Sequence, residues 1–291
     1  MDSSSLVQYI LTGLAQGGLY ALVGLGFVLI YNVTGIINFV QGEFVMLGAM
    51  LAVTYERMGL PLPMVIVLAV LSVALIGAGL EVISIRPARR ATPLTLIIIT
   101  IGLSLAVRGI ALLIWGTDPL VIPAFSGTEP IKILGGALMP QQIWIMGATA
   151  VSVLALYIFL DLTVMGKAFR ACVINKMGAS LMGISPRRMS TLAFALGAAI
   201  GALGGVVFAP TLASYDMGVA LGVKGFVAAV LGGLTSVPGV ILSGFIVGIG
   251  ESFGTAFISS GYKDAISLFI LLLVLLVRPQ GLFGIYGGKR V

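Results

Sequence analysis

Histidine is absent from the 291 residues, and cysteine occurs once, as Cys172. Those two shortages exclude a histidine general base and an internal disulfide, and they nearly exclude a multi-ligand transition-metal site. Charge is scarce as well. Charged side chains make up 9% of the chain, against about 25% in an ordinary soluble domain, while hydrophobic side chains make up 59%. With a mean hydropathy of +1.18, the solvent for most of this surface is lipid. What is plentiful is glycine, 40 residues, roughly twice the ordinary ~7%, as suits transmembrane helices that pack backbone on backbone.

A helix needs about 20 mostly apolar residues to cross a hydrocarbon core of about 30 Å. Seven stretches meet that requirement or nearly so: residues 6–30, 35–55, 62–85, 94–115, 143–160, 189–209 and 237–258. Residues 223–234 are too short to span alone, and 265–277 become long enough only if Tyr262, Lys263 and Asp264 open the helix. This gives an all-α polytopic bundle of about eight or nine membrane segments. The first span lacks a basic leader and a small-residue cleavage pattern, so it is expected to be retained.

Net charge is +6, which in a soluble chain would suggest nucleic acid. Here the placement of the basic residues matters more, and no nucleic-acid partner is expected. Arg86, Arg89 and Arg90 fall in one gap, Lys167, Arg170, Lys176, Arg187 and Arg188 in a second, and Arg278, Lys289 and Arg290 in the tail, with no acid in any of the three. Intervening gaps hold Arg57, Lys132 and Lys263 beside Glu56, Asp118, Glu129, Asp216 and Asp264. Positive-inside bias makes the first set cytoplasmic and the second external. An external N-terminus and a cytoplasmic C-terminus then require an odd number of crossings, so the 223–234 piece must contribute one, with a turn at 235–239.

The stretch 116–142, with Pro119, Pro123, Pro130 and Pro140, reads as the longest external loop and a docking surface for an outside partner. The inner stretch 163–188 has room for a short helix near residues 175–182, ended by Gly183 and Ser185-Pro186. GxxxG pairs at Gly13/Gly17, Gly197/Gly201, Gly201/Gly205, Gly244/Gly248 and Gly250/Gly254 predict close helix packing rather than a site.

No glycine-rich phosphate cradle ending in Gly-Lys-Ser or Gly-Lys-Thr is present. Any ATP chemistry therefore belongs to another chain. Ionisable residues inside spans are the remaining pointers to function, because each costs a few kcal/mol at mid-bilayer on insertion scales. Asn38, Gln41 and Glu43 form the densest polar cluster, and two readings of Glu43 stay open: lining of a pathway, or an anchor between the first two spans. Glu251 falls mid-span, as a structural pair or a pathway residue. Arg108, four residues after Ser104, is expected to snorkel to a helix end, and Glu81 and Lys224 to sit at the interface. Paired carboxylates at catalytic spacing are missing, so hydrolysis by this chain is not expected. Cys172 is expected to be a free, packed thiol.

Three blocks of sequence are similar to the LivH-like permeases of the branched-chain amino acid ABC importer family. They are Gly18-Leu19-Tyr20-Ala21-Leu22 through Tyr31, Gly35, Ile37-Asn38-Phe39 and Gly42-Glu43; Ala228-Ala229-Val230-Leu231-Gly232-Gly233 with Ser236, Pro238 and Gly239; and Tyr262-Lys263-Asp264 through Arg278-Pro279-Gln280-Gly281-Leu282-Phe283-Gly284. The resemblance covers nearly the whole chain and implies one transmembrane permease domain over residues 1–291, similar to type II importers, in a bacterial inner membrane. Its implied partners are a second, LivM-like permease, two cytoplasmic ATPases carrying ATP and Mg, and a periplasmic substrate-binding protein, with no cofactor in the chain itself. The block with Arg170, Asn175, Ala179, Ser180, Leu181, Gly183 and Ile184 resembles the family's coupling helix, and Asn38, Gln41, Glu43 and Glu251 become candidate pathway residues.

Two departures stand out. Where the family commonly reads Ala-His-Gly-Glu, this chain has Val40-Gln41-Gly42-Glu43, and Ile174 and Asn175 replace acidic residues of the coupling block. The competing readings are an ion-coupled secondary transporter or channel working without an ATPase, and an intramembrane enzyme using Glu43 and Glu251.

Overall fold

The computed structural model describes residues 3–88, 91–133 and 135–284. Arg89, Arg90, Lys289 and Arg290, which belong to the expected basic set, lie outside the described residues. The chain folds as α1 (Ser3–Thr34), α2 (Gln41–Arg57), α3 (Leu62–Leu80) prolonged by a π turn, α4 (Pro93–Trp115), a hairpin of β1 (Ile131–Ile133) and β2 (Gly136–Leu138), and α5 (Pro140–Tyr157) with its own π turn. Then follow α6 (Val164–Ile174), α7 (Lys176–Leu181), α8 (Pro186–Phe208), α9 (Met217–Gly232), α10 (Val237–Phe257) and α11 (Lys263–Val277).

Seven of these helices, counted with their π and 3₁₀ extensions, are long and apolar enough to cross a membrane: α1, α3, α4, α5, α8, α10 and α11. Two more lie inside the bundle. With 17 and 16 residues, α2 and α9 reach only about 25 Å at 1.5 Å per residue. The span expected over 35–55 starts six residues late because Gly35, at φ 76°, terminates α1. Residues 35–40 then run as an irregular connection before α2 begins. The short apolar piece expected at 223–234 begins earlier, at Met217, and α11 does begin at Lys263. Ser185 and Pro186, expected only to end the short inner helix, also open α8, three residues before the span expected from residue 189: proline supplies a first-turn residue that needs no amide, and the Ser185 hydroxyl accepts from Arg188 N.

The centre of the bundle is α1. Its glycines let α10 approach to backbone contact in an antiparallel sense, with Gly13 against Ile249 and Gly17 against Phe245. A methyl group on Gly17 would sit 2.7 Å from the Phe245 Cα, so this seam exists only because both helices lack side chains there. The GxxxG pairs Gly13/Gly17 and Gly244/Gly248 therefore act as packing, as expected. Around this pair stand α8, α9, α2 and α5, while α3, α4, α5 and α11 turn large apolar side chains such as Leu75, Leu113, Val151 and Leu276 outward. Exposed apolar side chains on spanning helices are the surface that lipid covers.

Thr34, Ile85, Leu96, Lys176 and Pro186 line one small cavity of about 210 Å³, which brings together the end of α1, the end of α3, the starts of α4 and α8, and α7. This is the basic end of the bundle. After α9 the chain reverses at residues 233–236, where the Ser236 hydroxyl accepts from Gly239 N to cap α10. With α9 counted, nine membrane helices run in alternating directions among the described residues. Because the helices alternate in direction, α1 begins at the opposite end from where α11 finishes.

Replacing Gly17 by alanine is expected to cost about 1–3 kcal/mol through overpacking, read as a lower unfolding midpoint in detergent. At Gly79 in α3 an added methyl group would meet nothing within 4 Å, and its replacement by alanine should leave the midpoint unchanged.

Candidate functional site

The irregular connection before α2 is tied down from three sides. Thr100 on α4 accepts from Phe39 N at 3.3 Å, and the Asn38 side-chain oxygen accepts from Val40 N at 3.2 Å. The Gln41 amide donates to the Gly197 carbonyl of α8 at 2.9 Å, lying where Gly26 of α1 and Gly201 of α8 carry no side chain. Asn38 and Gln41 are thus fully buried between helices, and neither lines a cavity with Glu43. A histidine ring at Gln41 would have to fit the same slot between Gly26 and Gly201.

Glu43 sits one turn into this end of α2, where a carboxylate also faces the positive end of the helix dipole. Its Oε1 accepts from Ser104 Oγ at 2.8 Å and from Arg108 at 3.0 Å through Nη2 and 3.3 Å through Nε. Its Oε2 is buried without a hydrogen-bond partner and faces Gly218 at the start of α9. Arg108 was expected to reach for a helix end; instead it turns inward, because a carboxylate at 3.0 Å in low dielectric offers more than a distant water layer. Glu43, Ser104 and Arg108 border a cavity of about 160 Å³ completed by Phe27, Phe39 and Gly218.

A second charged group joins four helices. Lys224 on α9 lies 3.0 Å from Glu251 on α10 and 2.8 Å from Asp264 on α11. Tyr20 of α1 donates to the other Glu251 oxygen at 2.7 Å, and Lys263 stands 3.9 Å from that oxygen. Two cations thus face two carboxylates, and Lys224 also lies 5.4 Å over the Tyr20 ring. Lys224, expected at the interface, is itself buried, held between the buried Glu251 and an Asp264 whose side chain is 79% exposed at the start of α11. Lys224 and Asp264 border a cavity of about 430 Å³, whereas Glu251 stands behind Lys224. Both cavities share Val219 and Val223 on the outer face of α9, where these residues are 42% and 43% exposed.

Glu81, also expected at the interface, is buried in the π turn of α3. It accepts from Ser190 at 2.9 Å and Thr191 at 2.7 Å and pairs with Arg86 at 3.5 Å, fastening α3 to α8.

At the basic end, the helix expected near 175–182 is α7. Asn175 caps it, its side-chain oxygen accepting from Met177 N and Gly178 N at 3.0 and 2.9 Å, and Gly183 at φ 82° ends it. Ala179 points inward onto a cluster with Phe169, Cys172 and Met189. Ile174, Met177, Leu181 and Met182 point outward, Leu181 being 84% exposed, and Ser180 is exposed beside them. Ile184 is half-buried against the inner cluster. Arg170 is occupied within the chain, bonded to the Leu160 carbonyl at 2.7 Å and to Asp161. It fixes α6 to the end of α5. Sequence reasoning missed α6 altogether, although Phe169 and Cys172 at i, i+3 mark its inward face. Burial raises the Cys172 thiol above the ordinary cysteine range, and the nearby Lys176 ammonium opposes that rise. Among the described residues no group of three or more potential ligands could hold a metal ion.

A nine-helix bundle with charge pairs beside internal cavities, and a capped, apolar-faced helix at its basic end, is the architecture of a polytopic membrane permease subunit. Known proteins agree with that class: residues 9–275 match the family described as branched-chain amino acid transport system / permease component, and the chain belongs to that family. It is 35% identical to the high-affinity branched-chain amino acid transport system permease protein LivH of Salmonella typhimurium, over 96% of this chain and 95% of the relative. Similarity to BraD of Pseudomonas aeruginosa, a permease protein of the same description, is 31% over the same shares. The ribose import permease protein RbsC of Haemophilus influenzae is 25% identical over 93% of this chain and 84% of its own length. The chain is accordingly a transport permease subunit of the ATP-binding-cassette importer class, as its sequence blocks implied.

Lys224→Met leaves Glu251 facing Tyr20 and a distant Lys263, and is expected to cost about 3–5 kcal/mol, as for other buried pairs broken on one side. The double variant Lys224→Met, Glu251→Gln should recover a large part of the lost unfolding midpoint in nanodiscs.

Proposed function

We propose that this chain forms, with a second LivM-like permease, the membrane pathway of an importer for branched-chain amino acids or a closely related small polar solute. A periplasmic binding protein delivers the solute at the outer face, and two cytoplasmic ATPases, holding ATP and Mg, drive the cycle. The chain itself is not an enzyme and carries no cofactor. It forms one transmembrane domain of the bacterial inner membrane, with its N-terminus outside and its C-terminus in the cytoplasm. Arg86, Lys167, Arg170, Lys176, Arg187, Arg188 and Arg278 gather at one end of the bundle and support that orientation.

The observation that carries the reading is the outer face of α7. Met177, Leu181 and Met182 present exposed apolar side chains at the end of the bundle richest in basic residues. Such a cluster on a short, capped helix fits a groove on a soluble partner. Lys176 donates to the Thr34 carbonyl at 3.1 Å, so a push on α7 reaches the end of α1 and the connection leading to Glu43. Closure of the ATPase pair would move α7, and the bundle would expose its internal charges to one side at a time. The exposed α9 face with Val219 and Val223 is the wall that the second permease would complete.

Leu181→Asp tests this. A buried anchor of a partner interface is worth about 2 kcal/mol or more, so ATPase association should weaken by about thirtyfold in co-purification while membrane insertion stays normal. Unchanged association and uptake would remove α7 from the coupling role. Ala179→Asp is a poorer probe, since Ala179 faces inward and its replacement would unseat the helix itself.

A further inference from the structure

The cavity beside Glu43 holds an asymmetry that a merely structural ion pair does not need. All three donors, one from Ser104 and two from Arg108, converge on Oε1, and Oε2 is buried with no partner. Gly218 packs directly against Oε2, where an added Cβ would stand only 2.6 Å from that oxygen, so a shift of α9 away from α2 is what uncovers Oε2 to the cavity. The Arg108 side chain is a quarter exposed and borders the same cavity. Carboxylate and guanidinium are therefore adjacent, and each has capacity left for an opposite charge. The remaining wall is apolar: Phe27, Phe39, Ile101, Leu105, Val219 and Val223.

We propose that Glu43 and Arg108 clamp the zwitterionic end of an α-amino acid, the α-carboxylate on Arg108 and the α-ammonium on Glu43 Oε2, with the side chain laid on the apolar wall. This rests on the importer reading above and adds which residues hold the solute and which solute class they select. Charge balance supports it. The site is a neutral pair in low dielectric, so a ligand must also be neutral overall to enter without leaving an uncompensated charge. An amine alone or a carboxylate alone fails that condition. A neutral amide satisfies it but pairs with neither ion as strongly as an ion does. A zwitterion meets both, with its charges one carbon apart facing ions 3.0 Å apart. At about 160 Å³, the cavity is well below the about 300 Å³ of ordinary drug-sized pockets, which restricts the ligand to a small solute.

The experiment places a cysteine on the shared wall, Val219→Cys, in the complete complex with its partner permease and ATPases in nanodiscs. Modification by a charged methanethiosulfonate is timed without the delivering protein; the native Cys172 is fully buried. Three compounds with one side chain are compared: L-leucine, 4-methylpentanoate, which lacks the ammonium, and 3-methylbutylamine, which lacks the carboxylate. Leucine at about ten times its half-saturating concentration should slow modification about tenfold by mass action, and the other two should not. Glu43→Gln keeps an acceptor at Oε1 for Ser104 and Arg108 but puts a donor at Oε2; it lowers the yield of complex by leaving Arg108 without its carboxylate, and should abolish leucine protection in the complex that does co-purify. Equal protection by all three compounds, protection by none, or protection surviving Glu43→Gln overturns the clamp. If Val219→Cys does not assemble, Val223→Cys on the same wall gives the same readout. ATP-driven leucine uptake by the unmodified complex is measured in parallel. Its absence removes the amino-acid importer reading on which the clamp rests; its presence without protection removes only the clamp.

Discussion

A charge inside a bilayer costs a few kcal/mol unless another charge or a strong hydrogen bond meets it there, and that constraint organises this bundle. Glu43 is met by Arg108, Glu251 by Lys224 and Tyr20, and Glu81 by Arg86, Ser190 and Thr191. Each of these groups joins helices distant in sequence. Apolar contact with lipid gives helices little reason to prefer one another over the acyl chains, so these polar junctions and the glycine seam between α1 and α10 supply the specificity that a hydrophobic core supplies in water.

The same junctions are where a transporter can do work. Glu43 with Arg108 borders one of the two cavities that share Val219 and Val223 on the exposed face of α9, and Lys224 with Asp264 borders the other. The α9 helix is short, glycine-rich where it meets α2, and bordered by a cavity on either side. A modest displacement of α9 changes both cavities at once. At the basic end, Lys176 ties α7 to the end of α1, so a displacement of α7 is passed to the connection that leads into α2.

Much of this was legible in the sequence, and for identifiable reasons. Runs of apolar residues located the spans and marked the short piece that belongs to α9. Gly183 and Ser185-Pro186 marked the end of α7, because stop signals of this kind depend on few neighbours, while the capping by Asn175 and the opening of α8 at Pro186 came from the structure. Partner choice was not legible. Arg108, Lys224 and Glu81 looked like residues placed near span ends, since hydropathy counts depth along one helix and is blind to a carboxylate on another. Glu43 and Arg108 are 65 positions apart, and nothing local links them. The same blindness hid α6, whose apolar face is narrow, and the inward direction of Ala179. Asn38 and Gln41 were recognised as polar residues in the membrane, but only packing against Gly26, Gly197 and Gly201 shows that they fasten helices.

The central claim is that force for transport enters from ATPases on separate chains. Proteoliposomes holding this chain with its partner permease and ATPases, supplied with the delivering protein, test it through uptake of labelled leucine. The account predicts accumulation that requires ATP on the side of the basic end and is indifferent to proton and sodium gradients. Accumulation driven by an ion gradient in the absence of ATP would contradict it.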